Sequence, residues 1–297
     1  MDTDRKGVAG EKPSTSDRPK LLYKYLDRYG LDAIANLELK VTPPNEFSDP
    51  FEFTPLFRAE GEKSYQACYR LYSEWCSKDP ERRQEDYETF KKGPILDRSH
   101  ELLRERFQTL VSKTFGVICL SADPHGLIQW AHYAAGHSGL VLELDFEAEP
   151  FRSLLASGSG DARSLCKVAY CMPDKRKAMS PHEPICDDTN EGITQLLLQC
   201  ASEKSEEWRP ENEYRLVVPL DLSDDRTKEP LINHRFEDGK MMYFLKLHST
   251  ALKRVILGVR VASEFSDKVR KAAALHGMEG RIVRARIDRQ RYAVAVD

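Results

Sequence analysis

The sequence predicts an α+β fold, with a mixed, mainly antiparallel central sheet flanked by helices and a helical insertion. Three observations support this prediction. Residues 115–146 carry two apolar runs separated by a short helical segment, and residues 212–218 alternate between apolar and charged side chains. Residues 254–287 give the order strand, helix, strand with short links, which is typical of a βαβ unit.

Composition limits the class of protein. The chain has 297 residues, of which 40% are hydrophobic and 31% charged, with a formal net charge of −3. This charge gives no bulk attraction to nucleic acid. No apolar run approaches the length of a membrane span, and the first residues lack an apolar signal core. We therefore expect a cytoplasmic protein without a membrane partner.

The seven cysteines indicate a reducing compartment. They are odd in number and form no C-x-x-C pair, so free thiols are favoured over a disulfide framework. The H-E-x-x-H motif is absent, and the five-residue spacing of His132 and His137 does not place two ligands on one helical face. The sequence predicts no metal site.

The domain organisation follows from composition. Residues 1–20 are polar and without periodicity, which predicts a disordered N-terminal arm. Residues 21–297 are predicted to form a single α+β domain. Residues at about 58–113 are highly charged with helical spacing, which predicts a helical subdomain with a solvated face. Tyr23 and Tyr25, two apart in a short apolar run, are expected on one face of the first strand.

A polar loop at residues 45–53 contains three phenylalanines. Its Asn, Ser, Asp and Pro residues favour local turns, and such loops lie at the surface. The phenylalanine rings must therefore pack into the edge of the core or form the wall of a site.

The stretch at residues 115–146 organises the prediction. Residues 115–120 form a buried-type strand that ends at Ser121, and residues 140–146 alternate as a strand with one buried face. Between them, Asp123 followed by Pro124 predicts the start of a helix, and Gly136 predicts its end.

Two interpretations apply to this helix. Trp130 and Tyr133 fall on one helical face, with His132 on the adjacent face and His137 beyond the end. The aromatic residues are either core anchors with satisfied histidine neighbours, or the rim of a pocket where an aromatic ring, hydroxyls and imidazoles converge.

The second informative stretch is residues 206–218. In an extended conformation, Tyr214, Leu216 and Val218 face one way, and Glu211, Glu213, Arg215 and Val217 face the other. The charged face is either a solvent-exposed ladder of ion pairs or the wall of a cleft. A carboxylate beside a guanidinium stays ionised, so it could bind a ribose hydroxyl. We predict that Trp130, Tyr133, Glu213 and Arg215 lie around one cleft.

Four motifs together resemble a bacterial family, the domain of unknown function family 2971. They are LYKY at residues 22–25 (as Leu-Tyr-Lys-Tyr), FSDPFE at 47–52, LS at 120–121 with WAHYA at 130–134, His137 and Gly139, and W..ENEYR at 208–215. The resemblance spans about residues 21–259. Ser48 stands where the family pattern leads us to expect Asn, and its hydroxyl can still cap the turn. The family name implies no activity.

The order of the strands is similar to the basic–serine–glutamate order of the ADP-ribosyltransferase superfamily. This similarity suggests a NAD-consuming enzyme of that type, with NAD as substrate and no cofactor assigned. Tyr23-Lys24-Tyr25 departs from the usual Arg or His signature, and Ser121 lacks the flanking pattern. The candidate catalytic residues are Glu213, Ser121 and His132. The candidate substrate-binding residues are Tyr23, Tyr25, Trp130, Tyr133, His137, Glu211 and Arg215.

Two alternatives remain open. One is a non-catalytic module that binds a nucleotide or a protein partner in a stress or phage-defence setting. The other is a nuclease or another hydrolase, in which His132, His137 and the carboxylates act as acid and base. A pocket that joins Tyr25, Ser121, Trp130 and Glu213 would favour an enzyme.

Overall fold

The computed structural model describes residues 18–156, 163–181, 190–225 and 227–296. Most of the arm expected at residues 1–20 lies outside the described residues. The strands are β1 (Leu21–Leu26), β2 (Glu38–Val41), β3 (Leu56–Phe57), β4 (Phe115–Ser121), β5 (Leu140–Asp145), β6 (Ser164–Lys167), β7 (Ala169–Cys171), β8 (Ala178–Met179), β9 (Glu203–Ser205), β10 (Glu213–Pro219), β11 (Ile232–Glu237), β12 (Lys240–Lys246), β13 (Leu252–Leu257), β14 (Ile282–Arg284), β15 (Arg286–Ile287) and β16 (Val294–Ala295). The α-helices are α1 (Gly30–Asn36), α2 (Glu62–Ser77), α3 (Tyr87–Lys92), α4 (Ile95–Thr114), α5 (Leu127–His132), α6 (Phe151–Ala156), α7 (Asn190–Ala201) and α8 (Ser263–Ala274).

A seven-stranded sheet forms the centre of the protein, in the order β14-β13-β5-β1-β4-β10-β6. Neighbouring strands are antiparallel, apart from the parallel pair β13 and β14. Helix α8 connects that parallel pair, as the predicted strand–helix–strand pattern requires. The mixed, mainly antiparallel sheet with flanking helices confirms the predicted fold class.

One face of the sheet carries the largest apolar cluster. The side chains of Tyr214, Leu216 and Val218 on β10 enter this cluster with residues of α1, α6 and α8. A second sheet, in the order β11-β12-β2, packs against the same cluster. Alternation along β10 therefore separates apolar residues from the charged residues as the sequence predicts.

The opposite face carries two separate apolar clusters. Helices α2, α3, α4 and α7, which include the predicted helical segment, pack with β4 and β10 at one end. At the other end, Trp130 and Ala134 pack with β1, β5, β13 and residues near the C-terminal hairpin of β15 and β16. The space between these two clusters contains charged and polar side chains, which form the site described below.

Two local predictions were wrong. The helix predicted from Asp123 begins at Leu127, because Asp123 accepts the backbone N–H of His125 (2.8 Å) and closes a turn instead. Glu211 belongs to a 3-10 helix at Glu206–Glu211, and strand β10 begins at Glu213. Between them, Asn212 adopts a left-handed conformation with φ 45°, which asparagine tolerates better than most residues.

The described segments contain neither a membrane-spanning helix nor a metal-binding cluster. Among these residues, no helix has the length and apolar character needed to cross a membrane. Within the same ranges, no group of three or more His, Cys, Asp or Glu side chains is arranged to hold a metal ion.

Candidate functional site

Three strands bring the key residues of the site into one row. Tyr23 on β1 lies opposite Ser121 on β4, and Ser121 lies opposite Glu213 on β10. Residues directly opposite each other in paired strands point to the same face of a sheet. Tyr23, Ser121 and Glu213 therefore lie side by side on the face that carries two separate apolar clusters.

Beside this row, three carboxyl groups surround two cations. The Lys204 ammonium lies 3.2 Å from Glu52 Oε1, 2.6 Å from Glu211 Oε2 and 3.1 Å from Glu213 Oε2. The Arg215 guanidinium donates to both Glu213 oxygens, with Nε 2.8 Å from Oε1, and it also bonds Glu52. All five side chains are at least 90% buried. This arrangement excludes the solvent-exposed ion-pair ladder.

Burial and the neighbouring charges act in opposite directions on Glu213. Burial by itself raises the pKa of this carboxyl, but the Arg215 guanidinium and then the Lys204 ammonium outweigh it and lower the pKa to about 2. Lys204 shows the reverse balance, because its carboxylate neighbours raise its pKa against the effect of burial. Glu213 is thus an ionised carboxylate at neutral pH, although it is almost fully buried.

Arg215 is the structural centre of this charge cluster. Its side chain is fully buried, and its guanidinium lies 5.3 Å from the ring centroid of Phe53 and 5.9 Å from that of Phe47. These rings belong to the loop at residues 45–53, called the phenylalanine-rich loop below. This loop thus supplies both Glu52 and an aromatic lining for the cation. Arg215 Nη1 has no hydrogen-bond partner among the described residues.

Tyr133 closes the opposite side of the cluster. Its hydroxyl donates to Glu211 Oε1 at 2.6 Å, and its ring is 45% exposed. Burial of the hydroxyl, with the bond to Glu211, raises the Tyr133 pKa. The Lys204 ammonium also lies 4.8 Å from the ring centroid of Trp208. Tyr133 and Trp208 thus place aromatic surface next to buried charge.

Ser121 on β4 and Gln129 on α5 both bond the segment before β10. Ser121 Oγ donates to the Glu211 carbonyl at 2.8 Å and accepts the backbone N–H of Asp123. Gln129 Nε2 donates to the Pro210 carbonyl at 2.9 Å, and its side chain is 2% exposed. These bonds position Glu211 through its backbone.

Gly126 provides a test of the Gln129 contact. A methyl group at Gly126 would overlap the Gln129 amide, and φ of −59° leaves no backbone obstacle to alanine. We expect Gly126→Ala to lower the free energy of unfolding by about 1–2 kcal/mol, because the amide must leave its buried partners. Urea denaturation measures this loss.

Gly280→Ala is the matched control, because no atom lies within 4 Å of the added methyl group. We expect it to change the free energy of unfolding by less than about 0.5 kcal/mol. Equal stability of the two variants would show that Gln129 is not held where the structure places it.

Two adjoining cavities open at this cluster. The smaller, of about 240 Å³, is lined by Tyr23, Lys24, Tyr25, Ser121, Gln129, Glu211 and Glu213, among others. The larger, of about 730 Å³, lies between the phenylalanine-rich loop and the segments at residues 171–179 and 203–208. Ser48, Glu52, Tyr133 and Lys204 line both cavities, so the two cavities adjoin at these side chains.

The structure brings together most of the predicted site residues. Tyr23, Tyr25, Ser121, Tyr133, Glu211 and Glu213 all line the smaller cavity. Arg215 is fully buried behind Glu213, to which it donates a hydrogen bond, and it lines neither of these two cavities. Of the four residues predicted around one cleft, Tyr133 and Glu213 line the smaller cavity, Arg215 bonds Glu213 from behind, and Trp130 is not among its lining residues.

The structure does not bring Trp130 and the two histidines into this group. Trp130 is fully buried and packs edge-to-face on Tyr25, with 5.4 Å between ring centroids. His137 stacks on the other side of Trp130 and lines a different cavity, next to Arg260. His132 is exposed at the end of α5 and lines neither the smaller nor the larger cavity. Trp130 is therefore a core anchor.

Sequence reasoning missed Lys204, Glu52 and Gln129 as members of the site. Glu52 lies in the FSDPFE motif, and the three phenylalanines in that polar loop were a usable signal. Lys204 follows the apolar face of α7 and carries no local signal of its role. Its position became evident only through three ion pairs to distant parts of the chain.

Comparison with known proteins gives one family. Residues 129–216 match the model of a family described as Protein of unknown function (DUF2971). The match includes Tyr133, Lys204, Glu211, Glu213 and Arg215, whereas the LYKY and FSDPFE motifs lie outside it. No curated protein and no solved structure matches the chain. Over residues 129–216, the chain therefore resembles the family Protein of unknown function (DUF2971).

Proposed function

We propose that the two adjoining cavities together bind NAD. The site would then cleave the bond between nicotinamide and ribose, in the manner of an ADP-ribosyltransferase. The observation that carries this proposal is the row of Tyr23, Ser121 and Glu213 at the wall of the smaller cavity. The aromatic/basic strand, the serine and the glutamate follow one another in this order along the chain, and in the sheet they lie side by side.

Glu213 has the chemistry that this reaction needs. Departure of nicotinamide leaves positive charge on the ribose, and a preorganised carboxylate in a dry site stabilises such charge. Glu213 is 5% exposed and ionised. Its Oε2 accepts from both Arg215 and Lys204, whereas its Oε1 accepts from Arg215 Nε and keeps a second lone pair that can accept a ribose hydroxyl.

The linings of the two adjoining cavities suit the two halves of a dinucleotide. The smaller cavity, with its carboxylates and hydroxyls, matches the nicotinamide riboside half. The larger cavity has Trp208 and Phe51 in its wall, and Phe51 is 72% exposed. Aromatic rings of this kind stack on a nucleotide base. His132 and His137 have no role in this proposal, because they lie outside both cavities.

A non-catalytic module that binds a nucleotide is the second candidate. One observation favours it: both oxygens of Glu213 already accept hydrogen bonds from buried cations. A carboxylate held in this way can recognise a hydroxyl without contributing to bond cleavage. The two candidates therefore predict the same ligand and differ in the product.

The test combines binding with product analysis. NAD is titrated into the purified protein by calorimetry, and the mixture is then separated to quantify free nicotinamide. NADH serves as the matched ligand, because its neutral dihydronicotinamide is a poor leaving group. The enzyme proposal predicts binding of both dinucleotides and nicotinamide release from NAD alone. Binding without release favours the second candidate, and absence of binding contradicts both.

A further inference from the structure

Lys24 occupies an opening between two strands of the central sheet. Strand β1 pairs with β4 at one position, Tyr23 opposite Ser121. Further along β4, the neighbour of Val117 is Thr42 and not a residue of β1, and the two are joined by two backbone hydrogen bonds of 2.9 Å. The Lys24 side chain lies in the gap between these two contacts, and it lines the smaller cavity.

The partner of the Lys24 nitrogen is a neutral group. Nζ donates to the Cys119 carbonyl at 2.9 Å, and it forms no ion pair with any residue that the structure describes. The nearby carboxylates are engaged elsewhere. Glu213 bonds Arg215 and Lys204, and Glu46 bonds Lys240. Lys24 thus differs sharply from Lys204, which three carboxylates surround in the same cavity.

The environment of Lys24 disfavours its charged form. Burial lowers the pKa of this amine and outweighs the opposing attraction of Cys119 and Glu213, while Lys40 on β2 adds a weaker repulsion. The other titratable groups that line the smaller cavity are Tyr23, Tyr25, Glu46, Glu52, Cys119, Tyr133, Lys204, Glu211 and Glu213. Burial raises the pKa values of Tyr23, Tyr25 and Cys119, so these three groups stay neutral at physiological pH.

We propose that Lys24 is a nucleophilic amine that forms an imine with small hydroxylated aldehydes or ketones admitted to the smaller cavity. A neutral amine has two N–H bonds and a lone pair, so it can bond the Cys119 carbonyl and still attack a carbonyl carbon. Desolvated lysines serve in this way as Schiff-base residues. The cavity hydroxyls of Ser121 and Tyr133 match the polar character of such a ligand.

The reaction balances without a further reactant. The amine nitrogen bonds to the carbonyl carbon, and the carbonyl π electrons move to oxygen. That oxygen then leaves as water with the two hydrogens of the amine, and a carbon–nitrogen double bond forms. Protonation by solvent then gives the imine nitrogen one N–H, which can keep the hydrogen bond to the Cys119 carbonyl. This inference is independent of the proposed cleavage of NAD.

Reductive trapping tests the proposal. The protein is incubated with glyceraldehyde and sodium cyanoborohydride at pH 7.5, and modified lysines are quantified by peptide mass spectrometry. Lys268 is the exposed comparison, since it pairs only with Glu264 on the surface of α8. We expect Lys24 to be labelled at least about tenfold faster than Lys268, because each pKa unit changes the neutral fraction of an amine about tenfold. Lys204 should remain unlabelled.

The pH profile separates this proposal from a purely structural role. Labelling of Lys24 should rise less between pH 7.5 and 9.5 than labelling of Lys268, because the pKa of Lys24 is lowered by burial. Lys24→Arg should lose the fast-labelled peptide. If Lys24 is labelled no faster than Lys268, or if both rates rise in parallel with pH, the proposal is overturned. Because the comparison uses peptides of the wild-type protein, it decides the question even if the variant fails to fold.

Discussion

Replacement of Glu213 with glutamine will lower the rate of nicotinamide release from NAD by about 10²–10³-fold, the cost typical of removing one preorganised electrostatic group. Glutamine keeps the shape of the side chain but removes the negative charge that, in the proposed complex, faces the ribose. The measurement is the initial rate of nicotinamide release at saturating NAD. The same experiment should show that NAD still binds, because most of the wall of both cavities is unchanged.

Glu264→Gln is the control for this substitution. Glu264 is exposed on α8 and pairs with Lys268 at 2.7 Å, away from both cavities. Its change to glutamine should leave the rate within a factor of two. A Glu213→Gln protein that is folded and releases nicotinamide at the wild-type rate would show that this carboxylate takes no part in cleavage.

Replacement of Arg215 with methionine will lower the free energy of unfolding by about 3–5 kcal/mol, because it leaves the buried carboxylates Glu52 and Glu213 with Lys204 in place of two cations. Arg215 is fully buried and holds both Glu213 and Glu52. Methionine fills much of the same volume without charge, so the loss reports the charge cluster and not a cavity. Urea denaturation of the wild type and the variant measures it.

Arg209→Met is the matched control. Arg209 forms its ion pair with Glu206 in the exposed 3-10 helix, three residues away. Exposed pairs contribute at most about 1 kcal/mol, so this change should be small. If Arg215→Met costs no more than Arg209→Met, the buried cluster does not hold the site together as the structure implies.

The sequence was sufficient to predict the fold class and one side of the site. Alternation along residues 213–218 separated Tyr214 and Leu216 from Glu213 and Arg215, because the side-chain period of a strand is fixed at two. The strand–helix–strand pattern near the C-terminus predicted the parallel pair of β13 and β14. These features depend on local periodicity, which a sequence displays directly.

Features that depend on tertiary contacts could not be predicted in this way. Glu52 and Lys204 meet across the phenylalanine-rich loop and the end of α7, and no spacing rule connects two such distant positions. Helical spacing placed Trp130 and Tyr133 on one face, but the short helix α5 buries Trp130 and leaves Tyr133 at the cavity. Packing decides which of these side chains points into the core, and the sequence pattern alone does not specify that packing.

The most direct test of the central proposal is a crystal structure of the protein with an NAD analogue whose nicotinamide ribose is replaced by a carbocycle, so that cleavage is blocked. The account predicts the analogue across both cavities, with a hydroxyl of the carbocycle within hydrogen-bond distance of Glu213. An analogue bound elsewhere, or bound with its nicotinamide end away from the row of Tyr23, Ser121 and Glu213, would contradict the proposal.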